Sequence, residues 1–538
     1  MTEFTACSFP SEDLLTHGAK LDYFEQRQYL IDGKLITWDG ELNKVISPIL
    51  IQTSTGLEQK TIGSTPLLTS KEALQALDAA HRAYDQGHGK WPLLSVSKRI
   101  EHVERFLDRM KEKRSIIVTL LMWEIGKSLK DSEKEFDRTI DYIVDTIKSL
   151  KELDRNSSKL IQDQNIMGQV RRVPIGVALC MGPFNYPLNE TFTTLFPALL
   201  MGNTVVFKPA KYGVLLIHPL LEAFRDCFPP GVINIIYGSG RQTVGALMES
   251  GKIDVFAFIG KSKGANELKK LHPKPHRLKA ILGLDAKNPA IVLPDADLEV
   301  TINECITGTL SFNGQRCTAL KILFVHKNIV DVFIKKLSEA IGKLKCGMPW
   351  DDGVSITPLG EPDKSEYLKS LVEDAVSKGA KVMNENGGTI NNSFFYPAVL
   401  YPVNETMRIF SEEQFGPIIP ILSYENDNEP IQYVVNSNFG QQLSLFGKDS
   451  KNLSRFIDAF SNQVGRININ SQCQRGPDSF PFNGRKDSAE GTLSVSDALR
   501  VFSIRALVAT KDTKENQEIV SNILRNRESA FLSTDYIF

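Results

Sequence analysis

Past Pro174 the chain alternates short apolar runs with amphipathic stretches: VALCM (177–181), a helical pattern from Leu188 to Met201, TVVFK (204–208), another helix, VINIIY (232–237), a third helix and DVFAFI (254–259). Strand, helix, strand in this order is the pattern of a parallel, doubly wound α/β sheet. Such sheets hold ligands beyond the carboxyl ends of their strands. Three features stand there: Lys208 and Pro209 after TVVFK, Gly238 and Gly240 after VINIIY, and Gly260 with Gly264 after DVFAFI. The segment GSGRQTVG lacks the third glycine of GxGxxG, so the ordinary dinucleotide fingerprint is absent. The case for a nucleotide is chemical instead. A glycine-opened helix N-terminus offers unpaired N–H groups to a pyrophosphate, and Lys208 adds a positive charge beside the ribose.

A second α/β series begins near Pro289 with PAIVL, a helix started by Asp297 with Leu298, Ile302, Cys305 and Ile306 on one face, then KILFVH and further alternating elements to GRININ. The expected fold is therefore α/β, with two doubly wound parallel-sheet domains. Residues 1–70 read as an irregular N-terminal segment. Residues 71–161 read as mostly helical, with Leu74, Leu77 and Tyr84, then Ile100, Val103, Phe106 and Leu107, at helical spacing before a charged helix from about Lys127 to Leu150. Residues 511–538 form a C-terminal extension with a polar helical pattern, expected to pack on a neighbouring subunit or stay loose.

Composition narrows the function. A formal net charge of -1 over 538 residues gives no overall attraction to nucleic acid or an anionic membrane. The longest apolar stretch, Phe192 to Phe207, is broken by Pro197, Gly202 and Asn203 and is too short to span a bilayer. The N-terminal residues carry acids and no apolar core, so no secretory signal is expected. Seven cysteines at irregular spacing, without a CxxC pair, point to reduced thiols and a cytoplasmic setting. The only metal-like feature, HPKPH with His272 and His276, has no carboxylate or cysteine at ligand spacing and reads as a loop.

One cysteine stands in unusual company: SFNGQRCTALK sets Cys317 among small and hydrogen-bonding residues at the end of a helix pattern. Together with MGPFNYPLN around Asn185, VVFKPAKYG around Lys208 and SEEQFGPIIPIL around Glu413, in that spacing and order, it resembles the aldehyde dehydrogenase superfamily. The likeness runs from about residue 70 to 505. It implies a nicotinamide-binding domain (71–161 and 173–288), a catalytic domain (289–480), and a β-arm (162–172 and 481–510) that builds homodimers or homotetramers.

The resemblance also implies roles. Cys317 attacks an aldehyde carbon, the Asn185 side chain and the Cys317 backbone N–H meet the oxyanion, hydride passes to the nicotinamide, and water hydrolyses the thioester left behind. Lys208, Pro209, Gly240, Gly260 and Gly264 would hold the cofactor, and Glu413 and Phe415 its nicotinamide ribose and ring. Arg138, Tyr186, Arg316 and Arg475 match the places where non-phosphorylating glyceraldehyde-3-phosphate dehydrogenases hold the substrate phosphate, which implies a small phosphorylated aldehyde. Lys211 stands where NAD-preferring relatives carry a glutamate for the ribose 2′-hydroxyl. That favours NADP, with NAD as the second choice. Lys261 replaces a serine and would contact a cofactor phosphate.

One departure concerns the water-activating glutamate of the ELGGK motif. Here the sequence reads GLDAK, with Gly283 in the glutamate's place. Asp285, two residues on and on the same face of an extended segment, is the first candidate substitute, and Glu490 the second. A chain without that base also matches acylating relatives in which coenzyme A takes the acyl group.

Overall fold

The structure is a computed structural model that describes residues 8–11 and 20–536. Two large sheets carry the architecture. The first has eight strands in the order Ala489–Glu490, Lys279–Gly283, Val255–Ile259, Val177–Met181, Thr204–Lys208, Ile233–Ile235, Gln28–Ile31 and Lys34–Thr37. Its five central strands are parallel, and antiparallel strands close both edges. Strands such as TVVFK are buried along their whole length, as they must be when helices cover both faces. From Val177–Met181 the chain winds first to one side and then returns to the other. The segment after Met181 therefore lies at the switch point, where open parallel sheets leave a crevice.

The second sheet has seven strands, with Asn288–Val292 and Leu320–His326 at its centre between Ile418–Tyr424 and Gln442–Phe446. Its ladders are parallel except at the edge strand Lys381–Val382. A third, three-stranded antiparallel sheet joins Leu160–Asp163, Ile166–Pro174 and Ser503–Lys511, bringing together the two segments expected to form an arm. Ile161, Ile166, Ile504, Leu507 and Val508 are exposed on it. Among the described residues no helix is long and apolar enough to cross a membrane.

Three expectations change. The N-terminal segment is not irregular, because Leu42–Thr53 and Gly56–Pro66 pair as a long hairpin and Gln28–Ile31 extends the first sheet. Its polar strands gave no clear alternation because only part of each is buried. The C-terminal extension docks on its own chain: after the helix Lys514–Asn526, Ser533 O accepts from Gln169 Nε2 at 2.6 Å and from Arg171 Nη2 at 2.8 Å. The thiols are not all reduced. Cys346 is disulfide-bonded, whereas Cys180, Cys227, Cys305, Cys317 and Cys473 are free. Disulfide formation depends on which sulfurs the fold brings together, which spacing along the chain does not reveal.

Candidate active site

Asp297 caps the helix Leu298–Leu310 by accepting from Glu299 N (3.2 Å) and Val300 N (3.3 Å). The chain then bends through Phe312, Asn313 and Gly314, all with positive φ (48°, 54° and 69°). Asn313 is held by Thr357, donating to its carbonyl at 3.0 Å and accepting from its N–H at 3.1 Å. At Gly314 a Cβ would lie 2.7 Å from Thr309 O and 2.8 Å from Gly416 O, so no side chain fits. This bend, costly for the two non-glycine residues, sets Cys317 in the wall of a cavity of about 310 Å³ at the switch point. From behind, Lys321 Nζ and Asn288 Nδ2 each donate to Cys317 O at 2.8 Å. Burial pushes the Cys317 thiol above its usual pKa, and the Glu190 and Glu413 carboxylates add to that, while Lys321 and a hydrogen bond from Gln441 oppose it.

Asn185 lines the same cavity, its Nδ2 donating to Gln315 O at 2.7 Å. Its position is set by a fully buried ion pair between Lys127 and Glu135. Lys127 Nζ donates to Asn185 O at 2.6 Å and lies 3.6 Å from the Tyr186 ring centroid. Glu135 Oε1 accepts from Leu188 N and Asn189 N at 3.0 and 3.1 Å, capping the helix Asn189–Leu200, which has no side-chain cap of its own.

The other wall collects residues expected to hold a nucleotide: Lys211, Gly260, Lys261, Glu413 and Phe415. The residues fit an anionic dinucleotide. Lys208 is buried and its Nζ donates to Pro209 O at 3.3 Å, with no carboxylate partner among the described residues, and burial pulls its pKa down to about 8. At Gly260 a Cβ would stand 2.5 Å from the Phe258 ring, so the backbone there stays bare. Lys211 and Lys261 are exposed and make no ion pair among the described residues. Gly240 opens the helix Gly240–Glu249 and Gly264 lies within Ser262–Leu271, both outside the cavity wall. Glu413 pairs with Lys321 at 2.8 Å and accepts from Ala286 N at 3.2 Å.

The expected phosphate clamp is altered by two carboxylates. Arg138 pairs with Asp478 at 2.9 Å, and buried Arg475 pairs with Asp478 at 3.3 Å, with Glu190 Oε2, and with Leu493 O at 3.0 Å. The Arg475 guanidinium lies deep enough to require compensation, and half-buried Arg138 shares Asp478 with it, so both are neutralised in place. Arg316 differs. Its Nη2 donates to Thr307 O, Gly308 O and Gln472 Oε1, it has no ion pair among the described residues, and its buried Nε has no hydrogen-bond partner there. Half-buried Tyr186 feels both Arg316 and Arg138, which partly offset the rise that burial imposes on its phenol.

Of the two candidate bases, Asp285 lines the cavity, but its Oδ2 accepts from Ser262 N at 2.6 Å, at the start of the helix Ser262–Leu271. Glu490 is a correction. Antiparallel pairing of its strand with Lys279–Gly283 carries it to the sheet edge, where it pairs with Lys269 at 2.6 Å, half exposed and away from the cavity. Sequence reasoning missed Glu190 and Lys364, both in the cavity wall, and Lys321 behind Cys317. The signal for Glu190 was a lone carboxylate in the otherwise uncharged, wholly buried helix NETFTTLFPALL.

Residues 50–506 match the aldehyde dehydrogenase family. The NADP-dependent glyceraldehyde-3-phosphate dehydrogenase of Apium graveolens is 31% identical over 484 residues, covering 88% of this chain and 95% of that protein. The lactaldehyde dehydrogenase of Methanocaldococcus jannaschii is 28% identical over 487 residues, 89% of this chain and 100% of its own. The crystal structure of NADP-dependent glyceraldehyde-3-phosphate dehydrogenase from Bacillus halodurans C-125, complexed with NADP, superposes with a TM-score of 0.83 at 30% identity, covering 91% of this chain and 100% of that one.

Proposed function

Because the chain belongs to the aldehyde dehydrogenase family, we propose that it oxidises glyceraldehyde 3-phosphate to 3-phosphoglycerate with NADP, through a thiohemiacetal and a thioester on Cys317 and without inorganic phosphate. The observation that carries the substrate is Arg316. It is the residue next to the nucleophile in sequence, and its guanidinium has no ion pair among the described residues and a buried N–H to spare. Among the described residues Arg138 and Arg475 pair with Asp478 and Glu190, two charges against two, and Arg316 adds a positive charge without an ion pair, which suits an anionic substrate. The resemblance to enzymes named for this substrate points the same way.

In this reading the thiolate of Cys317 adds to the aldehyde carbon, and the Asn185 Nδ2 and the Cys317 N–H donate to the oxygen as it becomes negative. When bound, NADP supplies the hydride acceptor. Lys208, Lys211 and Lys261 would meet its phosphates, Lys211 and Lys261 being exposed cations in the cavity wall. Lys321 would fix both Cys317 O and Glu413, tying the nucleophile to the ribose side. The exposed apolar residues of the three-stranded sheet support assembly into dimers or tetramers through that sheet.

A second reading, acyl transfer to coenzyme A, rests on the missing side chain at Gly283. Steady formation of NADPH and 3-phosphoglycerate in phosphate-free buffer without coenzyme A supports hydrolysis; turnover only with coenzyme A overturns it. Arg316→Ala should raise KM for glyceraldehyde 3-phosphate at least about 10-fold more than for glyceraldehyde, the loss of one charge-assisted contact of about 1.5–3 kcal/mol. Equal effects on both aldehydes would remove the phosphate claim.

A further inference from the structure

The family's base position is empty of a side chain here, and another carboxylate has entered the same cavity. Glu190 lies in the first turn of Asn189–Leu200, is 7% exposed, and lines the cavity together with Cys317, Asn185 and Gly283. Its Oε2 is gripped by Arg475, whereas Oε1 accepts no hydrogen bond from any described residue. The two sites adjoin. A Cβ built on Gly283 would meet Leu493 Cδ1 at 3.8 Å, and Leu493 O accepts from the same Arg475 that holds Glu190. Of the charges that act on the Cys317 thiol, Glu190 is the strongest, and its effect is to raise the thiol pKa. Neither rival is as well placed: Asp285 caps a helix and Glu490 faces Lys269 at the sheet edge.

We propose that Glu190 is the general base that releases the acyl group, replacing from a neighbouring helix the carboxylate absent at Gly283. The proposal rests on the thioester reading above. A water oxygen adds to the thioester carbon while its proton passes to Glu190 Oε1. The tetrahedral intermediate then collapses, the carbon–sulfur bond breaks with its electron pair returning to Cys317, and the carboxylic acid leaves as carboxylate once its proton is lost. No oxidant or reductant takes part. Arg475 is a positioning residue, fixing one oxygen so that the other faces the cavity.

The test separates acyl release from both substrate choice and cofactor. 4-Nitrophenyl acetate acylates an active thiol directly, giving one burst of nitrophenolate per Cys317 and then a steady phase limited by hydrolysis. Glu190→Gln should keep the burst and slow the steady phase by about 100-fold or more, the usual range for loss of a general base. The acetyl group should then persist on Cys317 in intact-mass spectra, and hydroxylamine, which needs no base, should discharge it. Glu490→Gln, at the sheet edge, should leave the steady phase within about twofold of the wild type. Gly283 has ordinary strand geometry and its nearest prospective contacts are 3.4–3.8 Å away, so Glu190→Gln/Gly283→Glu should recover at least a tenth of the lost rate. That recovery would not occur if Glu190 were only structural. An unchanged steady phase in Glu190→Gln, or slowing in Asp285→Asn instead, would overturn the proposal. If the ester assay behaves as expected but glyceraldehyde 3-phosphate is not oxidised, the substrate assignment fails and the base assignment stands.

Discussion

Replacing Lys127 by methionine gives the sharpest test of how the active-site loop is held. Both side chains of the Lys127–Glu135 pair are 0% exposed. The substitution keeps the aliphatic stem but leaves Glu135 as a buried carboxylate whose remaining partners are the N–H groups of Leu188 and Asn189. Removing one member of a buried pair costs about 3–5 kcal/mol. The two backbone bonds to Glu135 keep the cost from the top of that range, while loss of the ammonium against the Tyr186 ring at 3.6 Å and of its bond to Asn185 O raises it. We expect about 4 kcal/mol, with kcat lowered by roughly 10- to 100-fold, less than the ~100- to 1000-fold for deleting an oxyanion donor outright. In Lys127→Met/Glu135→Gln both charges are gone and the glutamine oxygen can still accept from the helix N-terminus. That variant should lie within about 2 kcal/mol of the wild type, a coupling of roughly 2 kcal/mol or more. Urea denaturation of the four proteins, with kcat measured on each, checks this. A single variant within about 1 kcal/mol of the wild type, or a double variant no more stable than the single, would refute the reasoning.

Two further outcomes follow from single positions. Gly314→Ala places a Cβ 2.7 and 2.8 Å from two backbone carbonyls at a φ of +69°, so the Cys317 bend must shift. Circular dichroism should stay native while Cys317 alkylation and turnover fall by about 100-fold, and full activity in this variant would show the bend is not required. Glu124, fully buried, accepts from Val214 N at 2.7 Å and Leu215 N at 3.0 Å, yet burial pushes its pKa from 4.5 to about 7. Between those values the folded chain holds a proton that the unfolded chain has lost. Stability contributed by this group is therefore full below about pH 4.5 and falls as pH rises toward 7, by roughly 3 kcal/mol at about 1.4 kcal/mol per unit. Thermal melts across pH 4.5–7.5 should show Glu124→Gln gaining on the wild type as pH rises; parallel profiles would refute this.

The strands of both sheets were legible because parallel strands buried on both faces read as unbroken apolar runs, as VALCM and TVVFK do. The strand ends proposed for the nucleotide were legible for a related reason, since Lys208 ends the run TVVFK and Gly260 follows the run DVFAFI. The N-terminal hairpin was not. Its strands are half exposed and polar, and what orders them is pairing over a long ladder rather than local pattern. Nor was the C-terminal docking, which depends on Gln169 and Arg171, more than 360 residues away, reaching Ser533.

Glu190 and Arg475 show why a site is harder to read than a fold. As separate residues, an arginine in a motif suggests a ligand for an anion, and a glutamate on a helix suggests a solvated face. Folded together they are a buried pair, 285 residues apart in sequence, and each changes what the other can do. The pair removes Arg475 from the free charge available to the proposed substrate phosphate and, in that proposal, leaves the task mainly to Arg316. It also holds a carboxylate, at low cost in desolvation, inside the cavity that lost one at Gly283. A charge at this depth without its partner is costly; Arg475 Nη1 meets Glu190 Oε2 directly and leaves Oε1 without a hydrogen bond from any described residue. Arg475→Ala should therefore impair acyl release as well as substrate binding, because Glu190 would lose the contact that fixes its Oε2. The steady phase of the ester assay should then slow in Arg475→Ala, whereas loss of a phosphate ligand alone would leave ester hydrolysis untouched.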